Sequence, residues 1–419
     1  MSIIIGDRKD KDVRLSLFSS PVPDAKGRFG TPFLEGNISF PFAKRRYRYI
    51  VRPVMKQSIP LFLLCAILAL AACGGDDGDP ILSPSPVPPV GAPSEPDFSA
   101  VEARVASAGI DNIALIVGDA DGPLYSYEHG DMRTSKPIYI ASATKLLLGL
   151  TAWKMIEDGQ IDPTSRPIEL IDFWASEAKD PRSTVAFEQL FALTSGFNGQ
   201  AGDDNCIGKI GYTLVDCVEE IHDDGLDTHP GNAFSYGNEH MQIAGLMMIE
   251  ALESDIDAIM REKIFGPLGI SAETRYPLIP ENNFSYSGGM RSTGDDYARI
   301  LTALLGGTLV QRPDDFLKNR ISATSIAAVP NAISSNKLDW RYGWGFWIEC
   351  EAVSFSTECQ SDPVISSAGA FGFTPWIDFA NGYWAIIVMQ EPLDRGFDTA
   401  QISIQLEQEL QPLIEDALN

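Results

Sequence analysis

Ile140-Ala141-Ser142-Ala143-Thr144-Lys145 opens a long apolar run in a chain of 419 residues. Leu146, Leu150, Trp153 and Ile156 fall on one helical face and Gly159 stops the run, so the pattern predicts a helix over 142–158. Ser142 and Lys145 stand three residues apart in its first turn, which brings hydroxyl and amine to one face, a side-chain hydrogen bond apart. The positive end of a helix favours a developing alkoxide, and a lysine against apolar walls can lose enough basicity to accept a proton. A plain N-cap serine is the competing reading. The same spacing recurs at Ser176–Lys179, in a charged stretch, and at Ser334–Lys337, in a polar loop; only Ser142 opens an apolar helix.

Upstream, Asn112–Gly118 and Pro123–Tyr127 are short apolar or alternating runs joined by Asp119-Ala120-Asp121-Gly122, a hairpin signal. Before them Phe98, Val101, Val105 and Ala108 share a helical stripe within Phe98–Gly109. Downstream, residues 165–340 are mostly helical in pattern, most clearly at Glu239–Leu252, Ile256–Ile264 and Thr293–Leu305. Strand character returns at Trp344–Ile348, Thr374–Phe379 and Tyr383–Met389, with Asn381-Gly382 as a tight turn. Gln401–Leu418 reads as an amphipathic helix interrupted at Pro412. The expected fold of 98–419 is therefore α+β: an antiparallel sheet built from both ends of the domain, flanked by helices, with a mainly helical insertion.

A second polar group stands at Tyr236-Gly237-Asn238, after the turn-rich Pro230-Gly231-Asn232-Ala233-Phe234-Ser235 and ahead of an apolar helix. A phenol near an ammonium can ionise below its usual pKa of about 10 and act as a general base. A tyrosine capping the core is the plain alternative.

Taken in order, these segments resemble the serine beta-lactamase-like superfamily, in the branch that holds class C beta-lactamases, D-alanyl-D-alanine carboxypeptidases and family VIII esterases. The resemblance spans residues 100–410 and includes Ile140–Lys145, Glu157-Asp158-Gly159-Gln160-Ile161-Asp162, Leu193-Thr194-Ser195-Gly196-Phe197 and Phe234–Asn238. It continues through Ile264-Phe265-Gly266-Pro267-Leu268-Gly269, Ser287-Gly288-Gly289-Met290-Arg291-Ser292-Thr293 and Tyr342-Gly343-Trp344-Gly345-Phe346. It implies that Ser142 is the acylated nucleophile and Lys145 its base partner. Tyr236 would relay the proton to the leaving group, and Asn238 would orient Lys145 and the substrate. The third motif, Lys or His followed by Thr or Ser and then Gly, corresponds to Ser367-Ala368-Gly369. The backbone amides of Ser142 and Ala370 would form the oxyanion hole, where each donor supplies roughly 3 kcal/mol.

Two departures bear on substrate. Ser367 stands where the family has the cation that helps hold a substrate carboxylate, and Leu193 stands where a His often precedes Thr-Ser-Gly. A neutral ester, or an amide without a free carboxylate, is therefore expected ahead of beta-lactams and the D-alanyl-D-alanine termini of peptidoglycan-derived peptides. An arginine such as Arg291 or Arg341 reaching the site would reverse that order. A catalytically inactive envelope binding protein is the competing class; retention of Ser142, Lys145, Tyr236 and Asn238 together argues against it. A Ser-His-Asp hydrolase would need His129, His222, His229 or His240, and Gly-x-Ser-x-Gly is absent. His222-Asp223-Asp224 and His229 read as an acidic solvated loop rather than a metal site. No cofactor is implied, and a monomer is expected.

Charge divides the chain. Residues 1–72 hold 12 Lys and Arg against 5 Asp and Glu, a charge of +7, and the rest carries −32 of a total of −25. So acidic a chain is not a nucleic-acid binder. Arg45, Arg46, Arg48, Arg52 and Lys56 precede the uncharged Ile59–Ala72, whose 14 residues are short for a bilayer span but suit a secretory signal. Leu70-Ala71-Ala72-Cys73 resembles a bacterial lipoprotein signal, which implies lipidation of Cys73 and a membrane-anchored protein on the periplasmic side of the envelope. On that reading 1–54 is a spurious or disordered extension, 55–72 the signal peptide, and 73–97, rich in proline, an extended spacer. Cys206, Cys217, Cys350 and Cys359 remain in the exported part. Of their three possible pairings, the local one, Cys206–Cys217 with Cys350–Cys359, closes two short loops.

Overall fold

Strand β1 (Ile113–Asp119) is buried along nearly its whole length, which explains why its sequence is apolar instead of alternating. Ala114 and Ile116 enter one core, and Ile113, Leu115 and Val117 enter a second on the opposite face. In this computed structural model the described residues are 96–419, apart from 176, 178, 198–205, 280, 322–324, 336–337, 351–353 and 392–398. The chain divides into two units, Met1–Val87 and Pro88–Asn419, and every described residue belongs to the second. The leader, Cys73 and the spacer up to residue 95 lie outside the described residues, as do Ser176 and Lys337.

β1 continues through the expected turn into β2 (Gly122–His129). After a long insertion come β3 (Arg341–Tyr342), β4 (Trp347–Ile348), β5 (Val364–Ser366), β6 (Thr374–Asp378) and β7 (Tyr383–Val388). These seven form one antiparallel sheet in the order β2-β1-β7-β6-β5-β4-β3. The first and last strands of the domain are thus neighbours, Ala114 opposite Val388 and Ile116 opposite Ile386. Helix α1 (Ser99–Ala106) and the C-terminal helix Thr399–Leu418 cover one face through Val101, Val105, Leu406, Leu410 and Ile414. The sheet assembled from both termini is as expected.

The other face meets α2 (Thr144–Glu157), buried at nearly every position and therefore apolar almost all round. Beyond it lie α3 (Leu214–Asp224), α4 (Glu239–Leu252) and α5 (Gly294–Leu305). Two short ladders tie the insertion to the site: Ile138–Tyr139 pairs antiparallel with Arg291–Ser292, and Ala233–Ser235 pairs parallel with Ser325–Ala328. Cys206–Cys217 and Cys350–Cys359 are bonded, the local pairing.

Three local expectations are corrected. The C-terminal helix runs unbroken through Pro412, because Leu406, Leu410 and Ile414 on both sides of the proline are anchored in one core. The strand expected from Trp344 begins only at Trp347. Gly345 at φ +86 breaks the extension and Trp344 turns in to stack on Phe191, ring centroids 5.2 Å apart. His222-Asp223-Asp224 is the last turn of α3, not a solvated loop: His222 is buried and accepts a 3.2 Å bond from Ala175 N–H. Among the described residues no group of three or more His, Cys, Asp or Glu is disposed to hold a metal ion. No helix among them is long and apolar enough to cross a membrane.

Candidate active site

The nucleophile candidate sits on a forced turn. Ala141 adopts φ +45, a region that costs a non-glycine residue energy unless its surroundings impose it. They do so here: Ile140 N–H donates to Met290 O at 3.1 Å, and Tyr297 Oη donates to Ala143 O at 2.9 Å. A 3-10 turn over Ala141–Ala143 then runs into α2. The N-cap position of α2 is Ala143 and carries no side-chain cap, so Ser142 does not serve as its cap.

Lys145 Nζ donates to Ser142 Oγ at 3.1 Å and to Ser287 O at 3.1 Å, with only 1% of the residue exposed. Ser287 Oγ in turn donates to Asn238 Oδ1 at 2.6 Å. Asn238 is therefore tied to Lys145 through Ser287, a bridging role that the sequence pattern did not assign. Nothing in the spacing of Ser287 and Asn238, 49 residues apart, signals it.

Tyr236 joins from the loop ahead of α4. Its ring stacks on Trp347, centroids 5.3 Å apart, and meets Tyr342 edge-on at 6.0 Å, while its main-chain N–H donates to Ala328 O at 3.0 Å. Loss of hydration pushes its phenol up to about 12, and a hydrogen bond with Ser142 acts the other way. The expectation of a lowered pKa is thus reversed. Lys145 Nζ lies 4.9 Å from the ring centroid, over the face of the ring, and loss of hydration is the largest influence on the phenol.

The Ser367-Ala368-Gly369 segment leaves the end of β5 and lies against the nucleophile turn. Ser367 Oγ donates to Ser142 O at 2.9 Å, and a Cβ on Gly369 would stand 2.2 Å from Ile140 O. Gly369 N–H donates to Phe373 O at 2.8 Å, holding Ala370 at the tip of the β5–β6 connection. Arg291 donates to Pro137 O and lies over the Tyr139 ring, and Arg341 pairs with Asp339 and lies over Phe355. Both guanidinium groups are committed to these partners.

One titratable group was passed over as a nucleophile's partner and acquires another place. His240, fully buried, lies 2.7 Å from Ser195 Oγ through Nδ1 and 2.9 Å from Ser235 O through Nε2. Burial, with the nearby Lys145 charge, lowers its pKa to about 4.

The fold agrees with comparisons to known proteins. The Beta-lactamase family profile matches residues 99–407. A protein of Bacteroides dorei DSM 17855 described as a candidate beta-lactamase superposes with a TM-score of 0.63 at 20% identity, covering 76% of this chain and 99% of that one. EstCE1, described as a hydrolase with promiscuous acyltransferase activity, superposes with a TM-score of 0.59 at 15% identity over 77% and 97% of the two chains. Protein flp of Staphylococcus aureus (strain MW2) is 23% identical over 135 residues, which is 32% of this chain and only 27% of that protein. With the family profile spanning the sheet, the helical insertion and every polar group of the site, the chain belongs to the Beta-lactamase family.

Proposed function

We propose that the protein hydrolyses a neutral carboxylic ester, or an amide without a free carboxylate, through an acyl-enzyme on Ser142. The observation that carries the substrate class is Ser367. A hydroxyl bonded to the Ser142 carbonyl occupies the position of the family's substrate-holding cation, and neither Arg291 nor Arg341 stands in for it. An anionic substrate would meet an exported part, residues 73–419, of net charge −32 with that cation missing.

In the proposed cycle Ser142 Oγ attacks the carbonyl carbon as its proton passes to the Lys145 amine. The oxyanion forms against the amides of Ser142 and Ala370. Tyr236, a neutral phenol, gives its proton to the leaving alkoxide and regains one from Lys145. Water then attacks the acyl carbon by the reverse relay and releases the acid. The acyltransferase activity described for EstCE1 is compatible with such an intermediate, in which an alcohol replaces water.

The test is mass spectrometry after p-nitrophenyl acetate. An acetyl adduct on the peptide bearing Ser142, absent in Ser142→Ala, is expected; no adduct on the wild type would falsify the proposal. A panel of short-chain esters, nitrocefin and a D-alanyl-D-alanine peptide then ranks substrates, with the esters expected first. A carboxypeptidase or beta-lactamase would invert that ranking.

We also propose export as a lipoprotein anchored through Cys73. The uncharged Ile59–Ala72 before Cys73 and the basic residues ahead of it support this. Mapping the mature N-terminus in a bacterial host tests it, with a lipid-modified Cys73 expected and a product that still carries Ile59–Ala72 overturning it.

A further inference from the structure

We infer that His240 is a positioning residue that fixes Tyr236 against Ser142, an inference that rests on the acyl-enzyme reading above. The carbonyl of Ser235 can only accept, so His240 Nε2 carries the proton and donates to it at 2.9 Å. In the neutral ring Nδ1 is then the acceptor, and Ser195 Oγ donates to it at 2.7 Å. Both nitrogens of one ring are used, and they clamp two separate loops. One clamped residue immediately precedes Tyr236; the other lies in the Leu193-Thr194-Ser195-Gly196 turn.

The main chain already ties these two segments: Ser235 N–H donates to Leu193 O at 3.0 Å, Gly231 N–H to Thr194 O at 2.8 Å and Asp227 N–H to Gly196 O at 2.9 Å, and Tyr236 N–H donates to Ala328 O at 3.0 Å. None of these bonds involves a side chain next to Tyr236. The imidazole adds a rigid side-chain brace between the same two loops, anchored on α4 two residues beyond Asn238. Its low pKa, near 4, keeps the ring neutral and the tautomer constant across the physiological range. Ser195 and His240 are both closed to solvent, so the pair cannot itself reach a substrate as nucleophile and base. Its influence must pass through Tyr236, where a displacement of about 1 Å can lower a rate on the order of 100-fold.

The experiment reads the burst of alcohol release from a short-chain alkyl ester, ethyl butyrate, whose alkoxide leaving group needs a proton, in quenched flow for the whole exported chain. His240→Ala is expected to slow the burst about 10- to 100-fold with KM changed by less than about twofold. Ser195→Ala, which removes one arm of the clamp, is expected to slow it less. Added imidazole should restore part of the His240→Ala rate. In a Tyr236→Phe background His240→Ala should cost little more, because the group it positions is gone. A purely structural histidine would give the same fold-loss in both backgrounds, and that outcome overturns the inference. Wild-type bursts from both His240→Ala and Ser195→Ala overturn it too. If circular dichroism finds His240→Ala unfolded, Ser195→Ala with and without Tyr236→Phe decides by the same comparison. A wild type that forms no Ser142 adduct removes the acyl-enzyme reading itself, whereas a wild type that forms the adduct beside unaffected variants removes only the role of His240.

Discussion

Ser367 Oγ donates a 2.9 Å hydrogen bond to the main-chain carbonyl of Ser142, 225 residues earlier in the chain. The side chain that could have faced a substrate carboxylate instead braces the turn of the nucleophile. Position 367 is thereby a structural support of that turn.

Replacing Ser367 by Lys returns the cation to the site. The ratio of nitrocefin turnover to p-nitrophenyl acetate turnover is expected to rise about tenfold, the effect of about 1.4 kcal/mol from one new charge pair. Ser367→Ala should leave that ratio alone and cost about 1 kcal/mol of stability through the lost hydrogen bond. Steady-state kinetics on both substrates check the first, and urea unfolding checks the second.

Tyr236, with its pKa pushed up to about 12, is a neutral phenol in the resting enzyme. The phenolate difference absorbance between wild type and Tyr236→Phe should therefore be absent at pH 8–10 and grow in only above about pH 11. A phenolate band at pH 8 would return the residue to the role of a resting-state base. The same variant should lose on the order of 100-fold in acylation rate if Tyr236 handles the proton of the leaving group.

Much of this arrangement was legible in the chain itself. Ile113–Val117 and Tyr383–Val388 are apolar without alternation because both faces are covered, and the turns at Asp119–Gly122 and Asn381-Gly382 set their partners. Ser142 and Lys145 were legible because helical spacing brings them together at the start of a long apolar helix, a context that Ser176–Lys179 and Ser334–Lys337 lack. The direction of the Tyr236 shift was not, since it depends on Trp347 and Tyr342 packing against the ring from strands more than 100 residues away. Ser287 and His240 were not either. Each joins segments about 40 or more residues apart, and only the folded chain brings those segments into register.

A buried acid pair predicts an unusual pH dependence of stability. Glu349 beside β4 and Glu407 on the C-terminal helix are both buried and interact electrostatically, Glu349 accepting from Gln411 Nε2 at 3.2 Å and Asp378 of β6 adding a like charge. Loss of hydration raises both carboxyls above the ordinary range, so the pair is favoured protonated. Folded pKa values above the unfolded ones mean that this contribution is complete below about pH 4.5 and is lost as pH rises through neutrality. Glu407→Gln should therefore raise the melting temperature at pH 8, by an amount equivalent to roughly 1–3 kcal/mol, and change it little at pH 4.5. Melting curves at the two pH values check the difference, and equal shifts at both would exclude a titrating pair.

Gly345 couples the aromatic core to the helix that carries Lys145. It holds φ +86, and a Cβ there would lie 2.5 Å from the carbonyl oxygen of Lys145 and 3.1 Å from the carbonyl carbon. Those are main-chain atoms of a helix buried nearly all round, so the neighbour cannot simply rotate away. Gly345→Ala therefore meets two penalties, a left-handed backbone unsuited to alanine and an overpacked contact, together about 2–4 kcal/mol of lost stability by urea unfolding. What relaxation does occur must shift Lys145 relative to Ser142, and the acylation burst should slow in the molecules that remain folded. Loss of stability with an unchanged burst rate would mean that the helix yields as a rigid body and carries Ser142 with it.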